Sequence, residues 1–170
     1  MLKKTAYSLL ILSLLFVSGC NAAQNQPRGN KITLDKAKTE IVYFDAKAEM
    51  AVTELTLDFF PAAEVLRDPG GDGKQFVRVS ISVTNTSDVE FPLNFTSFQL
   101  KDGKGEKVTE TFLLNDSNVD DHLESKELKN DEKAEGALYF EVGKDETQQS
   151  LLFVYEGYDS EFKDFEVKFE

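Results

Sequence analysis

The chain has 170 residues, of which 19 are lysine or arginine and 31 are aspartate or glutamate, so its formal net charge is −12. A chain this acidic repels nucleic acid and anionic headgroups, and we expect no DNA or RNA partner. Cys20 is the only cysteine, which excludes an intramolecular disulfide, and the length suffices for one domain with its own core.

The first 19 residues have the three parts of a bacterial secretion signal. Lys3 and Lys4 give a basic start, and an apolar run over 9–17 follows. This run is too short for a permanent membrane helix, which needs about 20 apolar residues. It has the length of the apolar part of a signal peptide, so we predict that residues 1–19 are removed during export.

The four residues that end this signal, Val17-Ser18-Gly19-Cys20, resemble the lipobox of bacterial lipoproteins. In that family a diacylglyceryl group is attached to the cysteine, and the signal peptidase cuts just before it, here between Gly19 and Cys20. The new amine can then receive a further fatty acid such as palmitate. Two or three acyl chains make such an anchor stable, because each buried methylene contributes about 0.8 kcal/mol. The alternative is an ordinary cleaved signal with an accidental cysteine.

Residues 20–39 are predicted to be the lipidated cysteine and a flexible tether. The segment after Cys20 is small and polar and contains Pro27 and Gly29, with no hydrophobic period. A weak apolar pattern starts at Ile32. We therefore place the folded domain at 40–170.

Beyond the tether, apolar and polar residues alternate with a period of two. The segment 77–83 is the clearest, since each of its odd positions is valine or isoleucine. This pattern is typical of a strand with one buried face. The segment 151–155 is apolar on both faces, which predicts a central strand. The other alternating segments are 55–59, 91–95, 138–142 and 165–169.

Turn-forming residues separate these segments at 68–73, 85–88 and 102–105. The parity of the apolar residues changes after Phe95, which predicts a β-bulge near Thr96 or Ser97. About seven or eight short strands with such turns indicate an all-β fold, an antiparallel β-sandwich.

Three segments resemble the characteristic strands and turns of a family of immunoglobulin-like bacterial proteins of unknown function. They are the strand and turn 76–88, the hairpin 98–105, and the segment 135–142 with its Gly-x-x-x-Phe-x-Val strand. Members of this family are secreted or lipid-anchored and are common in Gram-positive organisms. The resemblance covers roughly residues 50–170.

This resemblance implies an immunoglobulin-like sandwich, shared with an immunoprotective mycobacterial extracellular protein, and it implies export. It implies no activity. Asn130 and Asp131 stand where the family usually has Pro-Gly, which alters a turn and leaves the core unchanged.

The residues that could support catalysis are sparse. His122 is the only histidine, no Gly-x-Ser-x-Gly elbow is present, and lipidation of Cys20 would leave no thiol. A zinc site would need more histidine or cysteine than the chain has. A lone loop histidine is most often solvated, and we predict that the protein is not an enzyme and needs no cofactor.

One spacing resembles a calcium loop. Asp116, Asn118, Asp120 and Glu127 take its positions 1, 3, 5 and 12. Position 6 is Asp121, where the sharp turn requires glycine. The segment is therefore either a Ca²⁺ site or a solvated acidic loop.

The function that these patterns favour is a non-catalytic binding or interaction module, held on the outer face of the cell membrane through Cys20. Its partner would be a protein or another component of the cell envelope. Sandwich domains recognise partners through loops at one end, which points to 68–73 and 115–130. Two alternatives remain: a calcium-stabilised surface lipoprotein, and a hydrolase of cell-wall polymers supported only by the many carboxylates.

Overall fold

The structure, a computed structural model, describes residues 28–60, 73–111, 121–156 and 165–169. A 3₁₀ turn, Phe95–Ser97, lies between the fourth and fifth strands. None of the helical segments in these ranges is long and apolar enough to span a bilayer. The ten strands are β1 Arg28–Tyr43, β2 Ala46–Phe60, β3 Lys74–Asn85, β4 Phe91–Leu93, β5 Phe98–Lys101, β6 Lys107–Thr109, β7 Lys126–Leu128, β8 Lys133–Gly143, β9 Leu152–Tyr155 and β10 Phe165–Lys168.

The strands form two four-stranded sheets and one two-stranded pair. The first sheet has the order β1-β2-β3-β8, the second has the order β10-β9-β5-β6, and β4 pairs with β7. Every strand pair is antiparallel. Contacts of β1 with β10 and of β6 with β8 close the two sheets around a shared core. The predicted all-β antiparallel sandwich is confirmed.

The core lies between the sheets, where the alternating segments place their apolar faces. Val77, Val79, Ile81 and Val83 of β3 are all buried, as the period of two predicts. From the second sheet, the ring of Phe98 stacks on that of Phe153, with ring centroids 5.7 Å apart. Aromatic pairs at this separation add to the free energy of burial.

Two predictions about individual strands have different outcomes. The segment 151–155 contains β9, which lies between β10 and β5, so the predicted central strand is confirmed. The described ranges contain ten strands, more than the seven or eight predicted, because the predicted tether includes much of β1 and the three-residue strands β6 and β7 show no apolar alternation.

The predicted boundary of the tether at residue 40 lies too late in the chain. Strand β1 begins at Arg28, and Ile32 pairs with Leu55 of β2. Residues 28–39 therefore belong to the first sheet. The register of β1 shifts between Thr33 and Ala37, and this interruption breaks the alternation that would have marked the strand in the sequence.

The change of parity after Phe95 has a different cause from the predicted bulge. Phe95–Ser97 is a 3₁₀ turn that takes the chain from β4 to β5, which lie in different sheets. The side chain of Asn94 caps it, since its Oδ1 accepts a hydrogen bond of 3.1 Å from the amide of Thr96. Thr96 and Ser97 thus belong to a connection between sheets.

The predicted turns also have different outcomes. The turn 102–105 joins β5 to β6 as predicted, with the amide of Gly105 donating to the carbonyl of Asp102 at 2.8 Å. The turn 85–88 makes no hairpin, because β3 pairs with β2 and β8 and not with β4. Of the turn 68–73, only Gly73 lies within the described residues.

Asn85 is the buried polar residue that holds the end of β3. Its side chain is fully buried, and its Nδ2 donates to the carbonyls of Val89 and Leu128, both at 2.8 Å. Its Oδ1 accepts from the amide and the hydroxyl of Ser87, both at 2.9 Å. One amide side chain therefore ties β3 to the following loop and to β7.

Replacing this amide should destabilise the domain strongly. Asn85→Ala leaves the buried carbonyl of Leu128 without this donor and removes the contacts to Val89 and Ser87, so we expect a loss of about 3 kcal/mol in the free energy of unfolding. Denaturant unfolding measures it. The matched control Asn94→Ala removes an exposed cap and should cost about 1 kcal/mol. Equal effects of the two substitutions would contradict this role for Asn85.

Asp131 gives a second stability prediction. Its φ is 60°, a left-handed conformation that glycine adopts without a steric penalty. We expect Asp131→Gly to raise the free energy of unfolding by about 0.5 kcal/mol and Asp131→Ala to lower it, because alanine tolerates this conformation poorly. Thermal unfolding of the pair tests the sign, and stabilisation by alanine would refute the conformational explanation.

Candidate functional site

The sandwich has two ends, and two described residues of the predicted recognition loops, Gly73 and Asn130, lie at opposite ones. At the first end, here called the cleft end, the amide of Lys144 donates to the carbonyl of Gly73 at 2.8 Å. At the second, here called the tip end, Asn130 donates from its side chain to the carbonyl of Ser87 at 2.9 Å. Gly73 and Asn130 therefore do not share one surface, and residues 68–72 and 115–120 lie outside the described ranges.

A cleft of about 690 Å³ opens at the cleft end. The β5–β6 turn, the β8–β9 turn and the end of β10 form its walls, and its volume is within the range of small-molecule sites. Its lining residues are Lys101, Asp102, Gly103, Gly105, Gln148, Gln149, Ser150, Leu151, Leu152, Lys168 and Phe169.

Most charged groups at the cleft form ion pairs or accept hydrogen bonds from the turns that line it. The ammonium of Lys101 lies 2.6 Å from a carboxylate oxygen of Glu166. Asp102 accepts the amides of two residues in its own turn, and Glu146 accepts the amide of Gly103 at 3.0 Å. The ammonium of Lys168 and the amide side chains of the β8–β9 turn remain as groups for ligand contact.

Gln75 fixes the backbone behind this cleft. Its side chain is buried, and its Nε2 lies 2.9 Å from the carbonyl of Glu146 and 3.2 Å from that of Gly143. Its Oε1 accepts a hydrogen bond of 3.1 Å from the amide of Asp58. The β8–β9 turn is therefore tied to β3 and to the end of β2.

A second polar group lies on the outer face of the first sheet. Arg78 of β3 donates to Glu54 at 2.8 Å and forms an ion pair with Asp121. The hydroxyl of Tyr139 donates to the other carboxylate oxygen of Asp121. This cluster attaches the segment 121–123 to β8, where the amide of Leu123 donates to the carbonyl of Ala137 at 3.0 Å.

The pKa values of this cluster follow from its contacts. Burial alone would raise the pKa of Asp121, but hydrogen bonds from Tyr139 and Arg78 hold it below its ordinary value. Burial, together with the hydrogen bond to Asp121, raises the pKa of Tyr139 well above its ordinary value. At neutral pH, Asp121 is therefore an acceptor and Tyr139 a donor.

Gly136 allows the segment 121–123 to lie close to β8. A Cβ at Gly136 would lie 2.6 Å from the Cα of Leu123, closer than packed atoms approach. This close approach is the physical reason for a glycine at the first position of the Gly-x-x-x-Phe-x-Val strand. A glycine inside a strand pattern is a sequence signal for close backbone approach, and here it could have revealed the contact.

His122 is half-buried and paired with the buried side chain of Glu110, so it is not a fully solvated loop residue. Its Nε2 lies 2.7 Å from a carboxylate oxygen of Glu110, and its ring packs edge-on against Phe95. The side chain of Glu110 is only 4 % exposed, and its second oxygen has no hydrogen-bond partner among the described residues. Burial raises the pKa of Glu110, and the contact with His122 opposes part of that rise.

The predicted calcium ligands are not brought together within the described residues. Asp116, Asn118 and Asp120 lie outside the described ranges, and Glu127 lies on β7 opposite Pro92. In the described part of the chain, no group of three or more His, Cys, Asp or Glu side chains is placed to hold a metal ion. The calcium site stays a prediction.

The predicted lipidation site at Cys20 and the cleavage position after Gly19 also lie outside the described residues. They too stay predictions.

Residues 45–163 match the model of a family described as Domain of unknown function (DUF4352). This match confirms the resemblance carried by the segments 76–88, 98–105 and 135–142. No curated protein matches the chain in sequence.

Three solved structures share the fold. The ycdA protein of Bacillus subtilis, provisionally classed as a lipoprotein, is 21% identical with a TM-score of 0.55, and the match covers 79% of this chain and 39% of that one. The yjhA protein of Bacillus subtilis is 17% identical with a TM-score of 0.55, covering 78% of this chain and 97% of that one. The secreted protein MPT63 of Mycobacterium tuberculosis is 12% identical with a TM-score of 0.50, covering 71% and 85%. The chain thus spans well under half of ycdA.

The contacts of Asp121 predict an acid-dependent loss of stability. Because its folded-state pKa is below the ordinary value of an aspartate, its stabilising contribution is present above that ordinary pKa and is lost as the pH falls through the folded-state pKa. We expect Asp121→Asn to lower stability at neutral pH and to weaken its decline on acidification below about pH 4. Denaturant midpoints across pH measure both effects.

The matched control for this experiment is Asp145→Asn, which removes an equal charge from the exposed β8–β9 turn. Its stability should fall with acidification as in the parent chain. Identical acid profiles for the Asp121 variant and the parent chain would show that this ion pair does not contribute.

Proposed function

The chain belongs to the DUF4352 family of domains of unknown function, and we propose that it is a lipid-anchored, non-catalytic binding module displayed outside the cytoplasm. The observation that carries the proposal is the short distance along the chain between the lipobox and the fold. Cys20 precedes Arg28, the first residue of β1, by eight positions. Since an extended chain advances about 3.5 Å per residue, the start of the sheet would stay within about 28 Å of the anchored cysteine.

The relatives support a location outside the cytoplasm. One is provisionally classed as a lipoprotein and another is a secreted protein. The basic and apolar blocks before Cys20 are what export of this chain would require.

The use of the polar side chains favours binding over catalysis. Asp121, with its lowered pKa, is held by Arg78 and Tyr139, and Glu110 is held by His122. In the cleft, the carboxylates accept main-chain amides of the turns. These groups keep loops in place, as a recognition surface on a rigid sandwich needs.

The anchor also gives the domain an orientation. Arg28 pairs with Phe60, and both lie at the end of the first sheet where Lys74 pairs with Gly143. That is the cleft end. The tether would therefore leave the domain beside the cleft, and the tip end would be presented away from the membrane.

Intact-mass spectrometry of the full chain, expressed in a bacterial host and extracted from its membranes, tests the anchor. We expect the mass of residues 20–170 plus a diacylglyceryl group, with a further acyl chain if the amine is modified. The matched variant Cys20→Ser should lack lipid and leave the membrane fraction. An unmodified, freely secreted parent chain would overturn the proposal.

A further inference from the structure

The tip end carries the two large hydrophobic side chains that are exposed among the described residues. Phe44, in the β1–β2 turn, is 57% exposed, and Val89, in the β3–β4 loop, is 50% exposed. The two loops are joined at their bases, since the amide of Thr86 donates to the carbonyl of Lys47 at 2.9 Å. The amide of Lys47 donates in turn to the hydroxyl of Ser87 at 3.0 Å. The tip is defined here as residues 43–47 and 86–90.

Phe44 occupies its position at a conformational cost. Its φ is 51°, a left-handed conformation that is uncommon for a bulky residue and that glycine or asparagine adopts more easily. Its ring packs edge-on against Tyr43, with ring centroids 4.8 Å apart, which holds the aromatic pair in a defined orientation. The unfavourable backbone conformation and the exposure of the ring together point to recognition.

Carboxylates flank both apolar side chains. Asp45 follows Phe44 in its turn, and Asp88 and Glu90 lie on either side of Val89, all three exposed. Within the described part of the chain, none of these three forms an ion pair with a lysine or arginine. The apolar side chains of the tip are therefore set among negative charges.

A shallow groove beside the tip carries two further carboxylates, those of Glu40 and Glu49. It encloses about 290 Å³ and is lined by Lys38, Thr39, Glu40, Glu49 and Thr86. The carboxylates of the groove are bridged only by exposed lysines, with 2.8 Å between Lys38 and Glu49. Exposed ion pairs of this kind are weak, so a cation from a partner can replace the lysine.

We propose that the tip is a docking surface for a polypeptide segment that carries lysine or arginine beside apolar side chains. The apolar residues of the segment would cover Phe44 and Val89, and its cations would reach Asp45, Asp88 and the groove. This inference rests on the proposed role as an anchored binding module. Charge complementarity selects this occupant: a second copy would bring carboxylates against carboxylates, and an anionic membrane would be repelled.

The test uses the full anchored chain in neutral detergent and a defined set of nonapeptides. One peptide alternates lysine with leucine, a second replaces lysine with glutamate, and a third replaces leucine with serine. We expect only the first to bind, with an affinity that falls as salt is added. When this peptide is added, chemical-shift changes in the NMR spectrum of the isotope-labelled chain should map to the tip.

The decisive variant is Phe44→Asn, because asparagine accepts the left-handed turn. We expect it to weaken binding of the lysine–leucine peptide at least tenfold while the melting temperature stays equal or rises. Val89→Thr, close in shape, should weaken binding several-fold, and the control Asp145→Asn, in the exposed β8–β9 turn at the opposite end, should leave it unchanged. A purely structural role for Phe44 would predict a loss of stability together with the loss of binding.

Several results would overturn the inference: no peptide binds, the glutamate peptide binds equally well, the affected residues map to the cleft, or the chain self-associates through Phe44. Failure of the anchor is a separate result. If the mass measurement finds no lipid on Cys20 and the tip still binds the basic peptide, the proposed anchoring fails and the docking surface stands. If the lipid is present and the peptide does not bind, the docking surface fails and the proposed anchoring stands.

Discussion

The packing of β3 against the second sheet is the constraint on which the rest of the structure depends. The chain has a single cysteine and so no internal disulfide, and its stability must come from burial between the sheets. Strand β3 supplies the valine and isoleucine face of that core and pairs with both β2 and β8. Strand β2 begins at the β1–β2 turn, and strand β8 ends at the β8–β9 turn.

The same strand fixes both ends of the sandwich through two buried amides. Gln75, near the start of β3, holds the turn behind the cleft, and Asn85, at its end, holds the loop that carries Val89. Each amide uses both its oxygen and its nitrogen, so neither is buried at the cost of an unmade hydrogen bond. Hydrogen bonds from these two side chains of β3 therefore fix the backbone of the turns at both ends of the sandwich.

The sequence contains enough information for the parts of the fold that rest on local pattern. Alternation predicts β3, and an apolar run on both faces predicts β9, because burial of a strand face acts on successive side chains. The start of β1 escapes prediction, since a register shift after Thr33 interrupts its alternation. The pairing of Arg78 with Asp121 joins residues far apart in sequence, and among so many acidic residues the partner has no local signal. The exposure of Phe44 also has no local signal, because Phe44 ends the apolar run 41–44, where an aromatic residue normally predicts burial.

The domain tolerates the unfavourable backbone conformation of Phe44 because this residue lies in a turn outside the core. The β1–β2 turn lies beyond the last paired residues of its hairpin, Tyr43 and Ala46, so strain there is not passed into the buried faces. The loop that faces it is fixed independently by Asn85. The turn can therefore keep an exposed aromatic residue in an unfavourable conformation without disturbing the buried face of β3. The opposite end, where the tether would join, has the cleft and buries its apolar residues Leu151 and Phe169 instead. The two ends thus differ in what they present: the end near the predicted anchor offers a concave surface, and the far end projects a ring among carboxylates, which a partner can reach without approaching the membrane.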